Sequence, residues 1–191
     1  MLEVPKALLP FIGTVERIQM DNQQAIDFAY LAGLLEGEGS FTLTKHVINK
    51  RRNFKPVISM PNTDPLLIAE TARIFRKYGI HYHTFNYKGR TDKHKDIWIL
   101  QVIRMNSIKQ LIELLQPFLI GIKQGKASLL LDFLNHRLQY GGKGKKLDES
   151  FLDNDEVIFD AIQQASETTR EIPSILLEGN DIVRPSDESG S

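Results

Sequence analysis

Residues Leu31-Ala32-Gly33-Leu34-Leu35-Glu36-Gly37-Glu38-Gly39 combine acids and glycines in a pattern that bears on chemistry. Ala29, Gly33 and Gly37 are spaced four apart, which on a helix lines up a stripe with almost no side chain. Each interior glycine costs ~1 kcal/mol relative to alanine. Glu36 and Glu38 fall at the helix C-terminus, where the macrodipole disfavours negative charge by ~0.3–1 kcal/mol per group. Together these penalties come to roughly 3 kcal/mol, a large share of the ~5–15 kcal/mol by which a domain is stable. A close helix partner and a bound cation would both offset them.

Carboxylate, exposed carbonyl and phosphate oxygens are the hard ligands that Mg²⁺ prefers. One carboxylate builds such a site poorly. A second copy of the same helix, packed on the glycine stripe, would bring two Glu38 carboxylates together near a two-fold axis, where bound ions activate water and stabilise a leaving oxygen. Spacing alone leaves the other reading open: Gly33 and Gly37 serving ordinary intrachain packing, with solvated glutamates.

The elements that position these residues follow from periodicity. Gln23–Glu38 has apolar residues at helical spacing, with Asp21 or Asn22 to cap its start. Ser40-Phe41-Thr42-Leu43-Thr44 alternates as a strand with one wet face, and Lys55–Met60 is a second strand after the turn-forming, basic Asn49–Asn53. Asp64–Tyr78 reads as an amphipathic helix ended by Gly79, and His81–Lys88 with Asp96–Ile103 as a hairpin with a charged loop. Helices over Asn106–Gln116 and about Lys123–Gln139 complete an α-β-β-α-β-β-α-α order. Asp153–Thr169 adds one more helix. The order predicts an α+β fold, one four-stranded antiparallel sheet with its helices on a single face and the other face left to solvent or a ligand.

The chain of 191 residues has equal numbers of acidic and basic side chains and no cysteine, which excludes disulfide scaffolds, thiol nucleophiles and Cys-ligated zinc. The balance hides an asymmetry. Residues 1–146 carry 22 basic and 12 acidic side chains, whereas 147–191 carry 2 and 12, so the first segment suits a polyanion. We divide the chain into an N-terminal extension (1–21), a main α+β domain (22–140), a basic connector with a C-terminal helical region (141–183) and a mobile acidic tail (184–191). No apolar run approaches the ~20 residues of a membrane-spanning helix, and Met1–Pro10 lacks the features of a secretory leader. The expected location is intracellular, in a microbial cytoplasm or an organelle interior.

Leu31–Gly39 resembles the LAGLIDADG motif of homing endonucleases, matching it at Leu31, Ala32, Gly33, Leu34 and Gly39, with Glu for each Asp. Downstream, Leu115-Gln116-Pro117-Phe118-Leu119-Ile120-Gly121-Ile122-Lys123-Gln124 resembles the segment of those enzymes that ends in a lysine near the scissile phosphate. The resemblance covers roughly residues 22–140 and implies the family's saddle-shaped sheet. Family members with one motif pair as homodimers, and this chain has one.

The resemblance implies that Glu38 and the Gly37 carbonyl bind Mg²⁺, that Lys123 stabilises charge or orients water at the cleavage centre, and that Asn62 positions the water network. Ala29, Gly33 and Gly37 form the implied dimer interface. The implied activity is hydrolysis of one phosphodiester in each strand of a long, near-palindromic DNA duplex. The alternatives are a maturase bound to intron RNA and a DNA-binding relative without hydrolysis.

Such a sheet would lie in the major groove, whose base edges distinguish all four pairs. Ser40, Thr42 and Thr44 would face the bases. On the hairpin, Tyr82, Thr84, Asn86 and Lys88 share one face and His81, His83, Phe85 and Tyr87 the other; we assign Thr84, Asn86 and Lys88 to DNA. Arg51, Arg52, Lys55, Arg90 and Lys93 would grip phosphates, adding salt-dependent affinity. Two histidines without a third ligand read as surface groups, and Trp98 as core.

Overall fold

The computed structural model describes residues 20–48, 51–89, 91, 95–140 and 148–167. The connector at 141–146, the acidic tail, most of the N-terminal extension, Arg90 and Lys93 lie outside the described residues. Five helices and four strands follow in the order α1 (Asn22–Gly37), β1 (Ser40–Ile48), β2 (Arg51–Asn62), α2 (Pro65–Lys77), β3 (His83–Tyr87), β4 (Ile97–Val102), α3 (Met105–Leu115), α4 (Gly121–Tyr140) and α5 (Glu149–Glu167). The fold is α+β, with one antiparallel sheet in the spatial order β1-β2-β4-β3.

Local chemistry sets the helix starts. Asp21 caps α1 by accepting from the Gln24 N–H at 2.7 Å, while the Gln24 side chain accepts from the Asp21 N–H, a reciprocal capping box. Asn62 accepts from the Asp64 N–H and Asp64 from the Leu66 N–H, both at 2.8 Å, so the end of β2 folds directly into α2 with Pro65 in its first turn.

The register assigns every strand residue to a face, because directly opposed residues of an antiparallel pair point the same way. Phe41 opposes Ile58, Ile58 opposes Val102, and Met60 opposes Leu100; all are buried on the helix side. These join Phe28, Leu31 and Leu35 of α1, Phe75 of α2, Leu111 of α3, Phe133 of α4 and Ile162 of α5 in one apolar core. Trp98 packs against this core, as its flanking isoleucines suggested. The opposite face carries Ser40, Thr42, Thr44, Lys55, Ser59 and Gln101, and none of the five helices covers it.

Helix α5 packs on α4, β1 and β2. Its acids Glu149, Asp153 and Glu156 all contact the Arg52 guanidinium, at 2.6, 2.8 and 3.2 Å, and Glu156 also pairs with Lys45. Beneath them the fully buried Asp155 pairs with Arg137 of α4. Burial pushes the Asp155 carboxyl up, against the pull of the Arg137 charge. Part of the acidic excess after residue 146 is thus balanced by basic residues of the sheet.

Two differences from the sequence expectation concern β2 and the hairpin. Arg51-Arg52-Asn53 is strand, not loop. Arg52 shares a face with Phe54, Ile58 and Met60, on the helix side, so its guanidinium meets α5 rather than phosphates. In β3, Thr84 opposes Leu100 and Asn86 opposes Trp98, which places both in the helix-side register; His83, Phe85 and Tyr87 instead share the open face with Gln101, Ile99 and Ile97. Thr84 and Asn86, expected on the ligand-facing side of the hairpin, thus lie in the helix-side register, although both stay exposed at the sheet edge. The helix-side position follows from buried Leu100 and Val102, which fix the side of β4 and hence of its edge partner.

Candidate active site and nucleic-acid interface

The C-terminus of α1 is where the acids, the lysine and the sheet converge. Its last carbonyls would ordinarily lack intrahelical donors. The Leu34 carbonyl accepts from the Glu38 N–H at 2.8 Å, and the Leu35 carbonyl from the Gly39 N–H at 3.0 Å. The Lys123 ammonium, reaching from the first turn of α4, donates to the Leu35 carbonyl at 2.6 Å and to the Glu36 carbonyl. The cation that α1's unfavourable end required is therefore present within the chain. Among the described residues the Gly37 carbonyl is left for another donor or for a cation.

Gly39 is compelled by sterics. A β-carbon there would lie 2.6 Å from the Leu35 carbonyl oxygen and 2.7 Å from its α-carbon. The chain passes from helix to strand through a gap that admits no side chain, and this sets the position of Glu38 just before it.

The two glutamates have separate tasks. Glu36 accepts from the Ile120 N–H at 3.0 Å, tying the turn before α4 to the end of α1. Glu38 is exposed at the C-cap. An open cleft of about 520 Å³ adjoins this point, lined by Glu36, Ser40, Ile120, Gly121, Lys123 and Lys126 among others. Burial lowers the pKa of both Lys123 and Lys126 relative to ordinary lysines, with the acids Glu36 and Glu38 pulling Lys123 the other way. Sequence reasoning overlooked Lys126, although three residues after Lys123 is the spacing that places two side chains on one helical face.

Asn62 ends β2, and continuing the β1–β2 register beyond Ser40 and Ser59 places it at the α1 end of the sheet, the end at which Glu38 lies. Its Oδ1 is engaged by Asp64, which leaves the Nδ2 group to act as donor.

The stripe along α1 is open. Ala29, Gly33 and Gly37 are exposed, and nothing lies within 4 Å of a β-carbon built on either glycine. Ile26 and Tyr30 beside them are 62% and 40% exposed. Helix α1 is thus apolar on both sides, one side in the core and the other uncovered. Asp27, on the core side, is buried where Lys77 and Tyr78 donate to it at 2.7 and 2.8 Å and Gln23 at 3.0 Å. Burial acts to raise its pKa, but these bonds outweigh it and hold the carboxyl at about 2.

On the open sheet face Thr42 and Thr44 donate to the carbonyls of Val57 and Lys55 across the strand pair; the Thr44 oxygen also meets the His46 ring at 3.2 Å, while the Thr42 oxygen is left to accept. Arg51 and Lys55 are exposed on this face. Lys88 lies beyond β3 and pairs with Asp96 at 2.8 Å. His81 and His83 meet edge to face, and among the described residues no group of three or more His, Cys, Asp or Glu is placed to hold a metal ion. The described helices include none long and apolar enough to cross a membrane.

Residues 25–116 match the family model described as LAGLIDADG-like domain, a span that ends before Lys123. Among solved structures the chain is similar to homing endonuclease I-CvuI in complex with the I-CreI target in the presence of magnesium, with a TM-score of 0.60 and 16% identity over 76% of this chain and 85% of that one. It is similar to the archaeal intron-encoded homing endonuclease I-Vdi141I complexed with DNA, with a TM-score of 0.60 and 18% identity over 74% and 85% of the two chains. The group I intron-encoded homing endonuclease I-CeuI, complexed with DNA, gives 0.52 and 16% over 77% and 69%. No curated protein sequence matches the chain.

Proposed function

We propose that this chain, whose residues 25–116 match the LAGLIDADG-like domain model, is a LAGLIDADG-family protein and acts as a homodimeric, Mg²⁺-dependent, site-specific DNA endonuclease. The observation that carries the reading is the uncovered Ala29-Gly33-Gly37 stripe ending in an exposed glutamate. A second copy of α1 on that stripe buries Ile26 and Tyr30 and brings two Glu38 side chains to one axis. The similar structures in complex with DNA support a nucleic-acid ligand for the open sheet face.

The donor set fits a hard divalent cation: the Glu38 carboxylate and the Gly37 carbonyl would hold it, with phosphate oxygens and water. When bound, such a cation supplies activation of water and stabilisation of the leaving oxygen. Lys123 carries its positive charge at the cleft, fixed by two carbonyls, where it favours the charge that develops on a scissile phosphate. Asn62 orients water through Nδ2. Ser40, Thr42, Thr44, His83 and Gln101 present acceptors and donors to base edges, while Arg51 and Lys55 contact the backbone. The site of action is intracellular duplex DNA.

Glu38→Gln tests the centre. Cleavage of a selected duplex with Mg²⁺ should fall by roughly 10³-fold, while binding measured with Ca²⁺ is retained. An undiminished cleavage rate would reject the assignment of Glu38.

A further inference from the structure

The open face of the sheet is chemically uneven. Over β1 and its partner stretch of β2 it presents Ser40, Thr42, Thr44 and Lys55, with Val57 half-buried opposite Thr42. Over β4 and β3 the same face presents Ile97, Ile99, Phe85 and Tyr87, with Phe85 opposed to Ile99 and Tyr87 to Ile97. Phe85, Tyr87 and Ile97 are 44%, 59% and 42% exposed. A strand pair with one wet face normally places polar residues there. Four contiguous apolar side chains with a polar rim mark a surface that meets something else.

Three features define the partner. The apolar patch is continuous, through Gln101 and Ser59, with the hydroxyl-rich half of the same face, so one ligand lies across both. Its margin carries exposed Lys95 and the Lys88–Asp96 pair, a net positive rim. The duplex major groove offers hydrogen-bonding edges for the first half and has one apolar feature for the second, the C5-methyl of thymine.

We infer that the Phe85–Tyr87–Ile97–Ile99 patch reads thymine methyl groups and makes this protein selective for duplex sites with thymine at the positions under β3 and β4. The inference rests on the endonuclease reading and narrows its substrate. It also separates DNA from RNA on two grounds: uracil lacks the methyl, and the deep, narrow major groove of A-form RNA does not admit a β-ribbon.

The test uses the full chain with Ca²⁺. Bound duplexes are selected from a randomised library, and the enriched duplex is remade with deoxyuridine for thymidine at each fixed T. Loss of two buried methyls should weaken binding by on the order of 10-fold. A Phe85→Ser/Ile99→Thr variant should bind the thymine duplex at the uracil level and respond little to the exchange, a coupling that a merely structural role would not produce. Phe85 is exposed and Ile99 half-buried on the open face, and an unchanged melting temperature would show that the fold is intact. Equal binding of the thymine and uracil duplexes overturns the inference and leaves the endonuclease reading standing, whereas failure to enrich any duplex overturns that reading. Self-association of DNA-free protein abolished by the same substitutions would make the patch an interface between copies, and single-stranded RNA bound as tightly as duplex would make it a stacking platform; either result overturns methyl reading.

Discussion

Arg52 and Lys123 are both cations folded back onto their own chain, but they are neutralised differently. Arg52 meets three carboxylates of α5, so its charge is cancelled where it stands. Lys123 meets two uncharged carbonyls at a helix end, so it is held without being neutralised there. A cation anchored on carboxylates joins elements together. One anchored on carbonyls is positioned while still projecting positive potential, which is what a developing phosphate charge requires.

Replacing each cation would sharpen that contrast most. Lys123→Met should lower single-turnover cleavage by ~10²–10³-fold with smaller effects on Ca²⁺-supported binding, whereas Arg52→Met should lower the melting temperature while leaving the cleavage rate of folded protein unchanged. Equal losses of cleavage in both variants would erase the distinction. Because burial lowers the Lys123 pKa, wild-type cleavage should begin to fail at alkaline pH below the ordinary lysine range, and a Lys123→Arg variant should lose that limb of the pH profile.

Gly33→Leu comes next: it leaves the core untouched but fills the open stripe, and analytical ultracentrifugation should show a shift towards monomer of ~10-fold or more, since overpacking a close contact costs ~1–3 kcal/mol. A dimer of unchanged affinity would remove the helix-pairing idea. A smaller change concerns stability alone. Asp27→Asn should cost ~1–3 kcal/mol by weakening charged hydrogen bonds at a buried site. The Asp27 carboxyl is held at about 2, below its unfolded value, so its contribution is full above the ordinary carboxylate range and disappears as pH falls through about 2. Chemical denaturation of both proteins across pH 2–6 should converge at the acid end.

The contrast between the two cations was partly legible in the amino-acid pattern. Glu38 stood out because acids at a helix C-terminus are electrostatically wrong, and Lys123 because a second motif marked it. The place of Arg52 was also recoverable: two-residue steps back from Met60, Ile58, Pro56 and Phe54 reach it on the apolar side. Starting the strand at Lys55 concealed that count. The acids Glu149, Asp153 and Glu156, at spacings of four and three, form the helix face that receives it. The orientation of β3 runs against its own pattern: His81–Lys88 alternates an aromatic face with a more polar one, which by itself would turn Phe85 and Tyr87 towards the helices, and β4 is apolar on both faces. Only pairing with Leu100 and Trp98 decides it. Asp27 is invisible for another reason: its partners Lys77 and Tyr78 lie some fifty positions away.

The bridge from Glu36 to Ile120 and from Lys123 to the last turn of α1 has an evolutionary corollary. Acid and lysine are strapped into one rigid unit that makes no demand on the outward residues of the strands. On the proposed endonuclease reading, the strand surface can therefore drift to new sequences while the acid and lysine stay in alignment, which makes target preference and turnover separately adjustable traits in this scaffold.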